Sequence, residues 1–319
     1  MRLKKIIIDI FVISFAFLLF IIWYQNSIEN SAQTTISNIK NYKVYLITTD
    51  KGFQYWSILN QGAADMAAML GVKYIWDAPA ERSTKQQIEI IEKAVRSGAN
   101  ALLVAADDPK KISSVIEDAK ARSVKIIYVD SPAYEEAITT LTTDNYDAGV
   151  KAGRTMISIL DSMGINSGSI GIINLTAKEN TRLREIGFRD TLAQAARFNV
   201  LETIYTDTDI PEDTQEAAES MINENKDLVA LFGTSEGTTI GVGYAIKAND
   251  NRYVGVGFDK TEVMMQLLRD GNLKAIINQN PYTMGYLGMA EAVAAILGKD
   301  TGPEYINTGV SVVEIDRLY

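Results

Sequence analysis

The residues best suited to chemistry follow the apolar runs of an alternating strand and helix pattern. In open α/β sheets, ligands bind beyond the carboxyl ends of the strands, so the side chains at those ends are the candidates. Together they offer aromatic rings, carboxylates, a guanidinium, an amide and hydroxyl groups. They are Phe53, Tyr55, Trp56, Asp130, Ser131, Arg184, Ser235, Asp259 and Gln279.

This combination of side chains suits a neutral polyhydroxyl ligand. The C–H face of a sugar packs against aromatic rings, and ionised Asp and Arg make strong charge-assisted hydrogen bonds to hydroxyl groups. A phosphorylated ligand would need a glycine-rich loop at the start of a helix, and the sequence has no evident one. We therefore expect a cleft that binds a small neutral sugar.

Each candidate also has a purely structural interpretation. The aromatic pair that begins at Tyr55 is consistent with core packing, and Asp130 is consistent with the start of a turn. Arg184 could be a solvated helix residue, and Asp259 could cap the next helix. Gln279 could satisfy backbone groups where the chain changes lobe. No single residue is specific, and the prediction depends on all of them falling on one edge.

The composition excludes several classes of function. The chain has 319 residues with no histidine and no cysteine, which removes imidazole bases, thiol nucleophiles, disulfides and Cys/His zinc sites. Asp130 or Asp259 acting as a base is the remaining enzymatic alternative. A formal net charge of -9 argues against a nucleic-acid partner. We expect a binding protein with no catalytic residues, no metal and no cofactor.

The pattern of elements predicts an α/β fold with two lobes, each a mostly parallel sheet with helices on both faces. The stretch 138–153, in which a β-rich run turns into a helix, is the predicted crossover. One lobe is expected to contain residues 42–143 and 280–308. The other is expected to contain residues 144–279 and 309–319.

Local signals set the bounds of several predicted elements. A helix is expected at about 57–70, ended by Gly71, and Ser83 is expected to cap the next helix. Residues 200–205 are predicted to form one strand. A last helix at 282–297 is expected to return to the first lobe.

The N-terminal residues predict a membrane anchor. Residues 6–24 form an apolar run long enough to cross a bilayer. Basic residues lie within 1–5 and none follows before Lys40, which predicts a cytoplasmic N-terminus and an extracytoplasmic folded part. A cleaved signal peptide is the alternative, but the run is long and no small-residue cleavage site follows directly. We expect an uncleaved single-pass anchor in the cell membrane, with a polar linker at 25–41.

Several stretches carry a family resemblance. They are Phe53-Gln54-Tyr55-Trp56 with Gly62-Ala63, Ile127-Tyr128-Val129-Asp130, Thr143-Asp144-Asn145-Tyr146-Asp147-Ala148-Gly149, Arg184-Glu185-Ile186-Gly187-Phe188, Val256-Gly257-Phe258-Asp259 and Ile277-Asn278-Gln279-Asn280-Pro281. Through them the chain from about residue 42 onward resembles the periplasmic sugar-binding proteins of the ribose-binding type. Their fold is shared with the effector domains of lactose-repressor-like regulators.

The resemblance implies two lobes that are joined by three hinge strands and close over one sugar. It implies stacking by Tyr55 and Trp56. It further implies hydrogen bonds between the sugar and Asp130, Arg184, Asp259 and Gln279.

The chain departs from this family pattern in the cleft. Ser131 stands where relatives often have Arg, and Ser235-Glu236 stands where they often have Asn-Asp. These departures affect the identity of the sugar, and a pentose such as xylose or ribose is the first expectation.

The predicted anchor bears on the partner. The sugar receptor of an ABC importer in a one-membrane bacterium is usually a lipoprotein tethered through a cysteine, which this chain lacks. A receptor with its own transmembrane helix is similar to membrane-anchored xylose-binding sensors that partner a membrane histidine kinase in a two-component system. We expect such a sensor, with an importer receptor as the alternative. A DNA-binding repressor is disfavoured because the predicted span occupies the place of a helix-turn-helix. Oligomerisation stays open.

Overall fold

Two sheets with helices packed around them form the globular part of the chain. The computed structural model describes residues 17, 19–25, 39–176 and 178–315. The strands are β1 (Lys43–Ile47), β2 (Lys73–Asp77), β3 (Ala101–Val104), β4 (Lys125–Val129), β5 (Thr139–Thr142), β6 (Gly168–Leu175), β7 (Phe198–Val200), β8 (Ile204–Thr206), β9 (Leu228–Gly233), β10 (Val254–Phe258), β11 (Ala275–Gln279), β12 (Tyr305–Asn307) and β13 (Val310–Glu314). The helices are α1 (Gln54–Leu70), α2 (Thr84–Arg96), α3 (Pro109–Ala121), α4 (Asn145–Ser162), α5 (Glu179–Leu192), α6 (Pro211–Glu224), α7 (Glu236–Ala248), α8 (Glu262–Arg269) and α9 (Pro281–Ile296).

The two sheets define two lobes. Lobe 1 has the strand order β12-β5-β4-β3-β1-β2, with every pair parallel, and its sheet packs with α1, α2, α3 and α9. Lobe 2 has the order β13-β11-β10-β9-β6-β7, with β8 beside β6, and packs with α4 to α8. In lobe 2 the strand β13 runs antiparallel to β11. The expected two-lobed α/β fold is therefore confirmed.

Burial on both faces explains the composition of the central strands. The strand β3 reads ALLV and β10 reads VGVGF, and every residue of both is buried. Parallel strands covered by helices on both sides need such continuous apolar runs. The strands themselves are therefore apolar, and the loops that follow them carry the polar side chains.

The chain passes between the lobes three times within residues 39–176 and 178–315. The passages follow β5, β11 and β12. They are bonded to one another, because Thr143 Oγ1 donates to Gln279 Oε1 at 2.8 Å and Asn280 Nδ2 donates to the Thr308 carbonyl at 2.6 Å. These three adjacent segments connect the two lobes.

Several predicted bounds need correction. The helix α1 begins at Gln54, earlier than expected, so Tyr55 and Trp56 lie in its first turn. The strand predicted at 200–205 is two short strands, because β6 pairs with β7 at its start and with β8 at its end. The capping predictions are confirmed: Gly71 ends α1 with φ 73°, and Ser83 Oγ accepts from the Gln86 N–H. The last helix, α9, packs on α1 in lobe 1, as expected.

The predicted membrane anchor falls largely outside the described residues. Of the run 6–24, residues 17 and 19–24 are described, and they are helical. Among the described residues, no helix is both long enough and apolar enough to span a bilayer. The predicted cytoplasmic start, 1–5, lies outside the described residues, as does most of the linker predicted at 25–41.

Candidate ligand-binding site

A cavity of about 630 Å³ lies between the two lobes, and every residue selected from the sequence lines it. Lobe 1 contributes the start of α1 and the loop after β4. Lobe 2 contributes the start of α5, the loops after β9 and β10, and the end of β11. The structure thus gathers side chains that are as far apart in sequence as Phe53 and Gln279.

The aromatic wall of the cavity is the first turn of α1. Tyr55 and Trp56 are 8% and 5% exposed, and their rings meet edge to face with centroids 4.9 Å apart. Trp56 Nε1 donates to Asp50 Oδ2 at 3.1 Å, while Asp50 Oδ1 accepts from the N–H groups of Gly52 and Phe53. These bonds fix the turn before the helix. The pair belongs to the core of lobe 1 and also lines the cavity, so the core and cavity interpretations both hold.

Two aspartates occupy the same position in the two lobes. Asp130 follows β4 and Asp259 follows β10, and both have left-handed backbone, with φ 65° and 72°. Each backbone N–H donates to the neighbouring strand, to the Leu141 carbonyl at 2.8 Å and to the Ile277 carbonyl at 3.0 Å. Aspartate tolerates this conformation better than most residues, and such strained positions concentrate at functional sites.

Each of the two carboxylates accepts a hydrogen bond from a neighbouring side chain. Tyr55 Oη donates to Asp130 Oδ1 at 2.7 Å, and Gln279 Nε2 donates to Asp259 Oδ1 at 2.6 Å. Burial raises the pKa of both aspartates, and the positive charge of Arg184 opposes that rise. The helix cap suggested for Asp259 is instead made by Thr261, whose hydroxyl accepts from the Met264 N–H.

Arg184 is fixed in the cavity wall and is not a solvated helix residue. It is 3% exposed, its Nε donates to Asn145 Oδ1 at 2.9 Å, and its Nη1 donates to the Thr234 carbonyl at 2.9 Å. The guanidinium also lies over the Phe258 ring, 4.2 Å from the centroid. This geometry makes Arg184 a preorganised donor between the two aspartates.

The two serines of the predicted set are already engaged by the protein. Ser131 Oγ donates to the Ala106 carbonyl at 3.1 Å, and Ser235 Oγ donates to Asp209 Oδ1 at 2.6 Å. In the described structure their hydroxyl hydrogens therefore bond to protein groups, and a ligand can approach them only at the oxygen. Ser235 Oγ also lies 2.8 Å from Thr238 Oγ1.

Several polar residues of the cavity were not selected from the sequence. Asp209 and Asn180 line it, as do Arg82 and Lys178. Glu236, which the sequence already placed in the cleft beside Ser235, lines it as well. Arg82, Lys178 and Asp209 lie in loops that follow strands, so the rule used for the other candidates would have reached them.

Two of these carboxylates have strongly perturbed pKa values. Burial raises the pKa of Glu236 to about 7, and the neighbouring charges of Asp259 and then Asp209 add to the rise. Burial also raises the pKa of Asp209 to about 6, although the Ser235 hydroxyl opposes this. Such values mark a cavity in which carboxylates are removed from water.

Known proteins resemble this chain over most of its length. The ribose import binding protein RbsB of Haemophilus influenzae is 26% identical over 270 residues, covering 84% of this chain and 88% of the relative. The xylose/arabinose-binding protein XylF of Sulfolobus acidocaldarius is 22% identical over 271 residues, covering 77% and 66%. The structure of an ABC transporter solute-binding protein from Burkholderia graminis, in complex with D-arabinose, superposes with TM-score 0.82 at 27% identity, covering 88% of this chain and 98% of that chain. Residues 44–300 match the model of the periplasmic binding protein domain, so this chain belongs to that family.

Proposed function

We propose that this protein binds one small neutral sugar, a pentose such as D-xylose or ribose, in the cavity between its lobes. The observation that carries the proposal is the arrangement of the cavity, where the aromatic turn of α1 stands beside buried carboxylates and a fixed guanidinium. The three relatives described above are named for ribose, for xylose and arabinose, or for a complex with D-arabinose, and all of these sugars are pentoses.

The roles of the residues follow from what each side chain has left to offer. We assign stacking on the sugar ring to Phe53, Tyr55 and Trp56. Asp130 and Asp259 accept from sugar hydroxyls, and Arg184 and Gln279 orient the sugar by further hydrogen bonds. Ser131 and Ser235 accept through their hydroxyl oxygens. This assignment describes binding without chemical conversion of the sugar.

A thermal shift scan with pentoses and hexoses tests this proposal. A ligand that binds the folded state stabilises it in proportion to the logarithm of its concentration over Kd. One pentose is expected to raise Tm in the fragment 39–319, which keeps the buried Ile39 with lobe 1. The absence of a shift with every sugar of the panel would contradict the proposal.

We further propose that residues 6–24 anchor the protein in the cell membrane, and that ligand closure is reported to a membrane histidine kinase. The support is the apolar run with its preceding basic residues, together with the absence of cysteine from the sequence. Closure changes the surface presented jointly by the two lobes, and a partner domain can detect that change.

The alternative is the sugar receptor of an ABC importer, and two relatives support it because they are described as import or ABC transporter binding proteins. Purification of the full chain from membranes separates the two proposals. Copurification of a histidine kinase is expected for a sensor. Copurification of permease subunits without a kinase would favour the importer.

A further inference from the structure

The start of α1 lacks a cap from its own lobe. The first N–H groups of any helix have no acceptor within the helix. Among the described residues, the N-cap of α1 is Phe53, which makes no side-chain capping bond. The first two N–H groups of α1, those of Gln54 and Tyr55, therefore need an acceptor from elsewhere.

A carboxylate from the opposite lobe provides that acceptor. Glu236, the first residue of α7, accepts from the Gln54 N–H through Oε1 at 3.2 Å and from the Tyr55 N–H through Oε2 at 3.1 Å. Glu236 is 7% exposed, although it lies at the boundary between two lobes. Both oxygens of its carboxylate are thus directed at one helix end across the cleft.

A second cap runs in the reverse direction. Gln54 Oε1 accepts from the N–H of Glu262 at 3.2 Å, and Glu262 is the first residue of α8 in lobe 2. One residue of lobe 1 thus has its backbone capped by lobe 2 while its side chain caps a helix of lobe 2. The two bonds can form only when the lobes are in contact.

The helix caps that Glu236 and Gln54 provide between the lobes lie at one side of the sugar cavity. Other contacts between the lobes lie elsewhere around this cavity. A second cavity shares Tyr55, Glu236 and Gln279 with the sugar cavity. Gln54 and Glu262 line this second cavity. Other polar contacts between the lobes join Lys178 Nζ to Asp107 Oδ1 at 2.8 Å and Asn180 Nδ2 to Asp130 Oδ2 at 3.2 Å.

We propose that Glu236 and Gln54 form a latch in which each caps a helix of the opposite lobe, and that this latch holds the lobes closed without ligand as well as with it. Both Glu236 oxygens are used by the latch, so Glu236 is a positioning residue and not a sugar ligand. A protein that already favours the closed form loses less affinity to the cost of closing. Only this effect on affinity rests on the proposed function; the latch itself does not.

Amide hydrogen exchange of the full chain in detergent, without sugar, tests the latch. Mass spectrometry with electron-transfer fragmentation reads the exchange at single residues. The N–H groups of Gln54 and Tyr55 are expected to exchange at least about tenfold more slowly than in Glu236→Ala, because a helix start without a cap is open to water. Gln54→Ala is expected to release the Glu262 N–H in the same way.

Matched measurements separate the latch from general damage. Exchange at Ala63 and Ala67, which are buried residues of α1 beyond its first turns, is expected to stay slow in every variant and shows that lobe 1 is folded. Glu212→Ala removes an exposed first-turn acid from α6 in lobe 2 and is expected to change nothing at Gln54. Fast exchange of Gln54 and Tyr55 in the natural protein, or slow exchange that survives Glu236→Ala, would overturn the proposal. Because no sugar is present, neither result depends on whether the cavity binds sugar.

Discussion

Arg184 shows how single residues prepare the cavity before a ligand arrives. Asn145 and the Thr234 carbonyl hold its Nε and Nη1, and the Phe258 ring supports its face. Among the described residues, these bonds leave Nη2 for a ligand. Its charge also opposes the rise in the pKa of Asp130 and Asp259. A planar guanidinium can make these hydrogen bonds, stack on the Phe258 ring and carry the positive charge at the same time.

Arg184→Lys is therefore expected to weaken sugar binding although the charge is kept. A lysine cannot reproduce the fork of donors, and we expect a loss of affinity of about 10- to 100-fold, or about 1.4 to 2.8 kcal/mol. Calorimetric titration measures the change. Arg154→Lys, at an exposed position of the neighbouring α4, is the control and is expected to keep the affinity. Equal affinity in both variants would contradict the role of Arg184.

The raised pKa of Glu236 predicts how stability depends on pH. The folded state holds a proton on Glu236 up to a pKa of about 7, whereas the unfolded chain releases it near the ordinary value of 4.5. The folded state thus binds more protons between these values, so the free energy of unfolding falls as pH rises through this window. Asp209, with a pKa of about 6, acts in the same direction.

We expect the free energy of unfolding to be about 2 kcal/mol higher at pH 5.5 than at pH 8 because of Glu236, with a smaller addition from Asp209. Denaturant titration at the two pH values measures the difference. The groups that face Glu236 include Tyr55, Asp209 and Asp259. The difference is expected to shrink in Glu236→Gln. A stability that rises from pH 5.5 to pH 8 would contradict the assigned pKa.

At the scale of elements, the crossing of α4 and α5 sets the position of Arg184. A methyl group at Gly149 would lie 2.0 Å from the Arg184 carbonyl oxygen, and one at Gly187 would lie 2.2 Å from the Tyr146 carbonyl oxygen. The two helices therefore touch backbone to backbone. The absence of side chains at these two glycines is what allows the guanidinium to reach Asn145.

Gly149→Ala is expected to destabilise the protein by about 1–3 kcal/mol, because backbone atoms cannot move aside. The direction of the change in stability is informative, because a glycine-to-alanine substitution in an unobstructed helix stabilises the protein by about 1 kcal/mol. Thermal unfolding measures the effect. Gly243→Ala in α7 is the control, because its new methyl would meet the flexible end of Leu267 at 2.6 Å. Greater damage from Gly243→Ala than from Gly149→Ala would contradict this account of the crossing.

The elements also show what the sequence could predict. Gly71 and Ser83 are strong local signals, and both were assigned correctly. The predicted strand ends were accurate enough that every side chain selected from them lines the cavity. The division of β7 from β8 was missed because it depends on pairing with two parts of β6, which no local pattern records.

Sequence patterns could not predict the contacts between the lobes either, because these contacts also join segments that are far apart in the chain. The partners in the bonds from Glu236 to the start of α1 are about 180 residues apart, and no spacing rule connects them. Their meeting depends on how the lobes close. Likewise, the turn suggested for Asp130 is present as left-handed backbone, but its carboxylate also accepts from Tyr55.

At the scale of the whole molecule, bonded segments connect the two lobes, and helix caps that pass from one lobe to the other lie beside the cavity. We expect small-angle scattering of the fragment 39–319 to show nearly the same radius of gyration with and without sugar. In Glu236→Ala the sugar-free form is expected to be larger and to contract when sugar is added. A large contraction of the natural fragment would show that the latch does not hold the lobes without ligand.

Calorimetric titration of the fragment 39–319 tests most directly whether a pentose binds in the cavity between the lobes. D-xylose, D-ribose, D-galactose and D-glucose are titrated into the natural fragment, into Asp259→Asn and into the control Glu212→Gln. We predict that one pentose binds with micromolar or tighter Kd, and that Asp259→Asn alone abolishes or greatly weakens the binding. Absence of binding to every sugar, or equal binding by Asp259→Asn, would contradict the assignment of this cavity.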